Sequence, residues 1–475
     1  MLFNSFNFIV FLLIFLPTFF FIPKKYKPLF LLLSSYVFYS FWSWKLLSLI
    51  VFSTLTDFYC AKAIYRHSDP AKRKAFLLLS CMVNLGVLAL FKYANFFIEN
   101  FNQLFSKFET SIHFNYLELP LVVGISFYTF QTLGYTIDVY RKTKTPEDNL
   151  INFATFVTFF PQLVAGPIEK AATLLPQIKK KSQFNAHQFN TGLQLMLWGF
   201  FKKCVVADRL SIFVDHMYDD PSAATSAQIL MAVIFFSFQI YADFSGYCDI
   251  AIGLSRCIGI NLSRNFNQPY IAASICEFWK RWHITLTCWF RDYVYISLGG
   301  NRLGYKRTLL NVFIVFLLSG LWHGAAWMFV VWAMIHVLIY IVELTFTKIF
   351  SDKFDKVLNI PIVYAIRILL TFSIVSSAWI FFRSESMTEA MAVFKGLLLF
   401  TSEVKGLELN MFELTIACVA IAVMLMTEYV HSKTALWLRW RATSVFVRWP
   451  VYYSVIFSIL LFGEFQLKPF IYFQF

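Results

Sequence analysis

Long apolar runs alternate with short basic stretches along the whole chain. Runs of ~20 residues match the length a helix needs to cross the hydrocarbon of a bilayer. The clearest lie near 3–22, 28–51, 75–98, 120–138, 189–207, 227–254, 308–345, 360–382, 409–430 and 450–463. Two further stretches, 151–165 and 270–298, are shorter or interrupted and read as re-entrant or interfacial. Irregular backbone at that depth is tolerated only where protein or a wet cavity covers it. The pattern predicts an all-α, polytopic integral membrane protein with roughly 11 to 13 transmembrane or re-entrant helices.

Composition sharpens this picture. Of 475 residues, 59% are hydrophobic and only 14% charged, far below the charge content of soluble domains. The net charge of +14 gathers in short clusters: "KKYK" at 24–27, then 62–74, 178–181, 302–307 and 439–448. The positive-inside rule assigns these to the cytoplasm and the N-terminus to the opposite side. The first apolar run has no basic flank before it and no small-residue cleavage site after it, so it reads as a retained span. No basic stripe with interleaved aromatics forms outside the loops, which excludes a nucleic-acid partner and leaves membrane lipids as the partner of the charge. Eight cysteines stand singly in apolar surroundings and none forms a CxxC pair. Neither a disulfide framework nor a metal site is expected.

With no linker, low-complexity tract or repeat, the chain reads as one membrane domain, 1–475. Its middle, about 120–340, differs in texture. Glycines and polar residues collect there inside apolar context, as in "GISFYTFQTLGYTIDVYR" (124–141), "PQLVAGPIEK" (161–170) and "QIYADFSGYCDIAIG" (239–253). Polar groups are costly in hydrocarbon and mark protein interior or cavities. This middle is the expected functional core, and the flanking spans its scaffold.

Of eight histidines, His67, His113, His187, His216 and His431 sit in loops or at span ends. His323 lies inside the apolar "GLWHGAAWMFVVW" (320–332), with Gly320 and Gly324 at small-xxx-small spacing, which lets a helix or a substrate chain approach closely. A neutral imidazole in a dry channel suits activation of a hydroxyl; a structural histidine bonding across helices is the competing reading. His283 sits in "EFWKRWHITLTCWFRDYVYISLGGNR" (277–302), where cations and carboxylates interrupt an aromatic sequence. That stretch suits either a polar vestibule meeting phosphates or an interfacial anchor. His336, Tyr340 and Glu343 share one face of a helix and read as an interhelical hydrogen-bond group. On that helix His336 would lie roughly 20 Å from His323.

Asp243 and Asp249 fall within one predicted span. Six residues apart on a helix they diverge, so a shared two-carboxylate site is not expected. Asp243 reads as a cavity-lining candidate, Asp249 as structural, and Gly246 as a break or kink between them. The chain contains no HExxH, no G-x-S-x-G and no phosphate-loop motif, which removes zinc-protease, serine-hydrolase and ATPase readings.

Seven stretches in order carry a resemblance: "FYTFQTLGYTIDVYR" (127–141), "FFPQLVAGPI" (159–168), "YADFSGYCDIAIG" (241–253), "NFNQPY" (265–270), "FWKRWHITLTCWFRDYVYISLGGNR" (278–302), "LWHGAAWMFVVW" (321–332) and "FIYFQF" (470–475). In these the chain resembles the membrane-bound O-acyltransferase (MBOAT) family, in its bacterial branch of alginate O-acetylation proteins. The resemblance implies helices around a central funnel or tunnel, His323 as catalytic histidine, and His283 at the family's second polar position. It implies a substrate channel that takes in Trp322, Arg281, Trp282, Asp243 and Asn267. It further implies an acyl thioester donor such as acetyl-CoA with no bound cofactor, and a location in the bacterial inner membrane. The acyl group would pass to a periplasmic SGNH-type acetyltransferase or another acyl-accepting partner, within a polysaccharide biosynthesis complex. The expected product is an O-acetylated extracytoplasmic polysaccharide of alginate type; peptidoglycan and cellulose are the alternative acceptors. A transporter without catalysis is the competing class, although the internal repeats that many transporters show are absent.

Overall fold

A computed structural model describes residues 1–108, 112–180, 183–358, 360–398, 408–434, 443–465 and 470–473. The described chain is helical with no strand, as the hydrophobic pattern predicts. Seven helices are long and apolar enough to cross a membrane: Leu47–Arg66, Pro70–Lys107, Ser226–Cys257, Trp327–Phe350, Pro361–Arg383, Met411–His431 and Val445–Phe462. Phe6–Phe21 adds a shorter apolar helix. The two interrupted stretches are built of short helices, Leu150–Thr158 and Phe160–Leu163 in one, Ile275–Arg281 and Ile284–Phe290 in the other. Leu150–Thr158 and Phe160–Leu163 are largely buried, and Ile275–Arg281 and Ile284–Phe290 are about half buried, so protein covers much of their irregular backbone.

The predicted span 28–51 is two helices, Lys27–Ser43 and Leu47–Arg66. The span 308–345 also divides, into Tyr305–His323 and a second helix beginning at Trp327. The break falls at Gly324, whose φ of −161° and ψ of 155° leave the helical region. Apolar content continues across both breaks, which is why hydropathy alone merged them.

Gly246 neither breaks nor kinks its helix; Ser226–Cys257 runs through it. Its role is close packing. A Cβ on Gly246 would lie 2.9 Å from the Gly199 carbonyl oxygen, and one on Gly253 2.6 Å from that of Gly192. The helix Ala186–Phe200 therefore crosses Ser226–Cys257 antiparallel at two glycine pairs, each spaced seven residues apart. Backbones in contact gain dispersion where apolar lipid offers no hydrophobic drive.

The stretches around residues 62, 141–148, 179 and 292–311 lie on one face. Lys62 Nζ donates to the Asp148 carbonyl at 3.0 Å, Lys179 pairs with Glu147 at 3.1 Å, and Arg141 donates to the Asp292 carbonyl at 2.9 Å. Asn311, near the start of Tyr305–His323, donates to the Gly300 carbonyl at 2.9 Å. The opposite face is closed by 112–124, where Tyr39 donates to the Val123 carbonyl at 3.2 Å and Trp42 to that of Leu121 at 3.1 Å. His323, at the far end of its helix, is thus roughly 27 Å along the axis from the basic end.

Candidate active site

His323 is the last residue of its helix, and the chain turns back at once into Trp327–Leu358. Gly320 and Gly324 serve this return. A Cβ on Gly320 would lie 2.7 Å from the Phe329 carbonyl oxygen, and one on Gly324 2.0 Å from the Phe329 ring. The small residues admit a neighbouring helix, not a substrate chain. The imidazole is 3% exposed. Aromatic rings enclose it, with Trp322 and Trp332 each at 5.0 Å, Phe382 at 5.4 Å and Tyr472 at 5.5 Å between centroids. Neither ring nitrogen has a hydrogen-bond partner among the described residues. The ring borders a cavity of about 150 Å³, also lined by Lys92, Ser126, Phe127, Trp322 and Tyr472 and walled by 121–125 of the far face. An imidazole so placed can exchange a proton with a guest in that space.

His283 takes a left-handed conformation, φ 44° and ψ 53°, immediately before Ile284–Phe290. A non-glycine residue is costly there and persists only when its surroundings fix it. Asn265 is the fixing group. Its carbonyl oxygen accepts from His283 Nδ1 at 3.2 Å, from Thr285 N at 3.1 Å and from Thr285 Oγ1 at 3.0 Å. With Nδ1 facing an acceptor, the proton belongs on Nδ1, and Nε2 is left as a buried acceptor with no partner among the described residues.

Thr285 also borders a second cavity of about 240 Å³. Lys170, Arg264 and Arg291 line it from the basic face, and Phe130 and Trp289 close its floor. The rings of Phe130 and Trp322 meet at 5.7 Å between centroids, one bordering each cavity. Trp322 also touches His283 at 5.8 Å. The two spaces thus flank one aromatic wall; His323 borders one of them, and His283 packs against Trp322 in the wall itself.

Of the other residues singled out in the sequence, Trp322 stands in the wall. Trp282 is wholly buried against Phe266, Phe278 and Trp379. Arg281 pairs with Glu277 at 2.6 Å and donates to the Asn267 carbonyl at 3.1 Å, so Arg281 and Asn267 hold one another. Asp243 lies outside both cavities, in an ion pair with Lys203 at 2.8 Å, and Lys203 also meets Asp208 at 2.8 Å. The other oxygen of Asp243 accepts from the backbone of Ile471 at 2.9 Å, which anchors Tyr472 beside His323. Asp249 pairs instead with Lys202 at 2.9 Å, and Lys202 with Glu428 at 2.7 Å; the two aspartates serve separate lysines, as their spacing implies. Of the grouped His336, Tyr340 and Glu343, Glu343 caps the helix at Ile275 and Cys276 with two 2.8 Å bonds. His336 makes no side-chain hydrogen bond among the described residues and sits among Phe278, Trp279 and Trp332.

Hydropathy passed over Lys92 and Tyr472. Lys92 lies in a π-helical turn, Ala89–Tyr93, a feature often found at functional sites. A lysine deep in an apolar span was the available signal. Among the described residues, no three His, Cys, Asp or Glu side chains converge as metal ligands.

A model of the membrane-bound O-acyltransferase family matches residues 31–381. The chain is 36% identical to the peptidoglycan O-acetyltransferase of Helicobacter pylori over 82% of its own length and 79% of that protein's. It is 34% identical to the probable alginate O-acetylase AlgI of Pseudomonas putida, over 98% and 99% respectively. Similarity to the teichoic acid D-alanyltransferase of Bacillus subtilis is lower, 28% over 45% of this chain and 56% of that one. The chain is a multi-pass membrane O-acyltransferase and belongs to the membrane-bound O-acyltransferase family.

Proposed function

We propose that this protein takes an acetyl group from a cytosolic thioester, acetyl-CoA, and delivers it through the membrane for O-acetylation of an extracytoplasmic polysaccharide, with alginate-type polymers favoured. The basic face is the cytoplasmic one, in the bacterial inner membrane. The observation that carries this reading is the pair of cavities that flank one aromatic wall, with His323 bordering one and His283 packed against Trp322 in the wall. Lys170, Arg264 and Arg291 in the larger cavity suit the phosphates of the donor. The 34% identity with an alginate O-acetylase over nearly both whole chains supports the acceptor class.

In the proposed reaction His323 takes the proton from an acceptor hydroxyl. The oxygen attacks the thioester carbonyl, a tetrahedral oxyanion forms, and the C–S bond breaks. The thiolate leaves toward the basic side, and the proton held by His323 returns to it or to solvent. His283, fixed through Nδ1, presents Nε2 as an acceptor beside the wall. The immediate acceptor is a hydroxyl of a partner, an SGNH-type acetyltransferase on the far side, or of the polymer itself.

Purified protein in vesicles should release CoA from acetyl-CoA when an acceptor is supplied. His323→Ala should lower that rate by about 10²-fold or more; undiminished release would overturn the base role, and absence of release by the parent protein would favour a transporter. The 36% identity with a peptidoglycan O-acetyltransferase supports a second acceptor. Parallel assays with alginate and peptidoglycan fragments separate the two.

A further inference from the structure

We propose that Lys92 is a further catalytic residue: its ammonium stabilises the oxyanion that forms on the acyl carbonyl beside His323. This rests on the acyl-transfer reading above. Lys92 Nζ donates to the carbonyl oxygens of Trp322 at 2.7 Å and His323 at 3.0 Å. An ammonium has three N–H groups, so one remains, and Lys92 lines the His323 cavity. No carboxylate pairs with it among the described residues. The contrast within the fold is sharp, because Lys202 and Lys203 each meet two carboxylates.

An intramembrane cation with no counter-ion among the described residues is expensive and points to function. Capping a helix end accounts for only part of the arrangement. Neighbouring Tyr93 already donates to the Leu321 carbonyl at 2.6 Å, and a neutral donor would serve the remaining carbonyls. The π turn at Ala89–Tyr93 aims two successive side chains at the end of the His323 helix. What a lysine adds over a neutral donor is positive charge next to the base, in a space that accumulates negative charge only during transfer. Donors held at such a position act on the transition state and little on the ground state.

The test compares Lys92→Gln and Lys92→Met with the parent protein and His323→Ala in vesicles. Glutamine keeps a donor for the carbonyls without charge; methionine keeps neither. The expected result is a fall in kcat of about 10²-fold for both, with KM for acetyl-CoA within about twofold. Inhibition by an anionic methylphosphonyl analogue of acetyl-CoA should weaken by a similar factor in Lys92→Gln. Thermal stability of Lys92→Gln should stay near the parent's, so the glutamine variant carries the test if the methionine variant does not fold. Parent-like kcat and inhibition in Lys92→Gln would overturn the proposal and leave Lys92 a helix cap. Activity retained in His323→Ala would instead overturn the base reading, so the two failures are distinguishable.

Discussion

Phe130 and Trp322 meet ring to ring at 5.7 Å, and each borders a different cavity. This contact separates a basic space from the space around His323. Only where such a wall can admit an acyl group while excluding water does transfer outpace hydrolysis. Trp322→Phe, which keeps most of the packing, should raise the ratio of CoA released to acetyl groups transferred. An unchanged ratio, measured by thiol assay alongside acceptor acetylation, would show that the barrier lies elsewhere.

Asn265 determines which nitrogen of His283 is free. Asn265→Ala removes the Nδ1 acceptor together with two bonds to Thr285 and allows the proton to move to Nε2. Transfer should fall about tenfold or more, and leaving buried donors unpaired should cost roughly 1–3 kcal/mol of stability each. Asn265→Asp keeps the acceptor and should retain far more activity. Equal rates for the two variants would remove the tautomer argument.

Asp243 holds the 470–473 segment through Ile471 and neutralises Lys203. Removing one partner of a buried pair costs about 3–5 kcal/mol, so Asp243→Ala should melt well below the parent protein. It should also become susceptible to proteolysis near Ile471, read by mass spectrometry of limited digests. Asp243→Asn retains an oxygen for the Ile471 N–H and should protect the segment better. Identical digestion patterns in the two variants would mean that other contacts hold it.

Glycines predict opposite outcomes at two sites. Gly199→Ala places a methyl group 2.7 Å from the Gly246 carbonyl oxygen and should impair folding or force the helices apart. Gly86 has open space around it inside the helix Pro70–Leu88. Gly86→Ala should therefore stabilise by up to about 1 kcal/mol through helix propensity. Melting curves in detergent would read both.

Much of this was legible in the sequence because apolar length and polar interruption report bilayer physics directly. The all-helical class, the interrupted stretches built of short helices and the burial of His323 and His283 all followed from that pattern. Boundaries inside continuous apolar runs were not legible. Gly324 ends one helix through backbone geometry that hydropathy does not register, and so His323 and His336 come to pack on the same Trp332 instead of lying far apart on one rod. Gly246 misled in the opposite sense, since a glycine that admits a partner helix looks the same in sequence as one that bends its own. Asp243 was legible as buried and polar, but its partner Lys203 lay in a run read only as apolar. Long-range pairing of that kind is decided by the tertiary fold.

The two adjacent lysines bear on how the protein is made. Alone at the centre of a span, Lys202 and Lys203 would resist entry into lipid by roughly 5–7 kcal/mol on insertion scales. Asp208 follows Lys203 within the same segment, Asp243 and Asp249 emerge with Ser226–Cys257, and Glu428, which completes the set around Lys202, arrives much later. The segment carrying the lysines must therefore leave the translocon in the company of Ser226–Cys257, the glycine-paired helix already packed on it. Only the late arrival of Met411–Thr434 closes the assembly electrically.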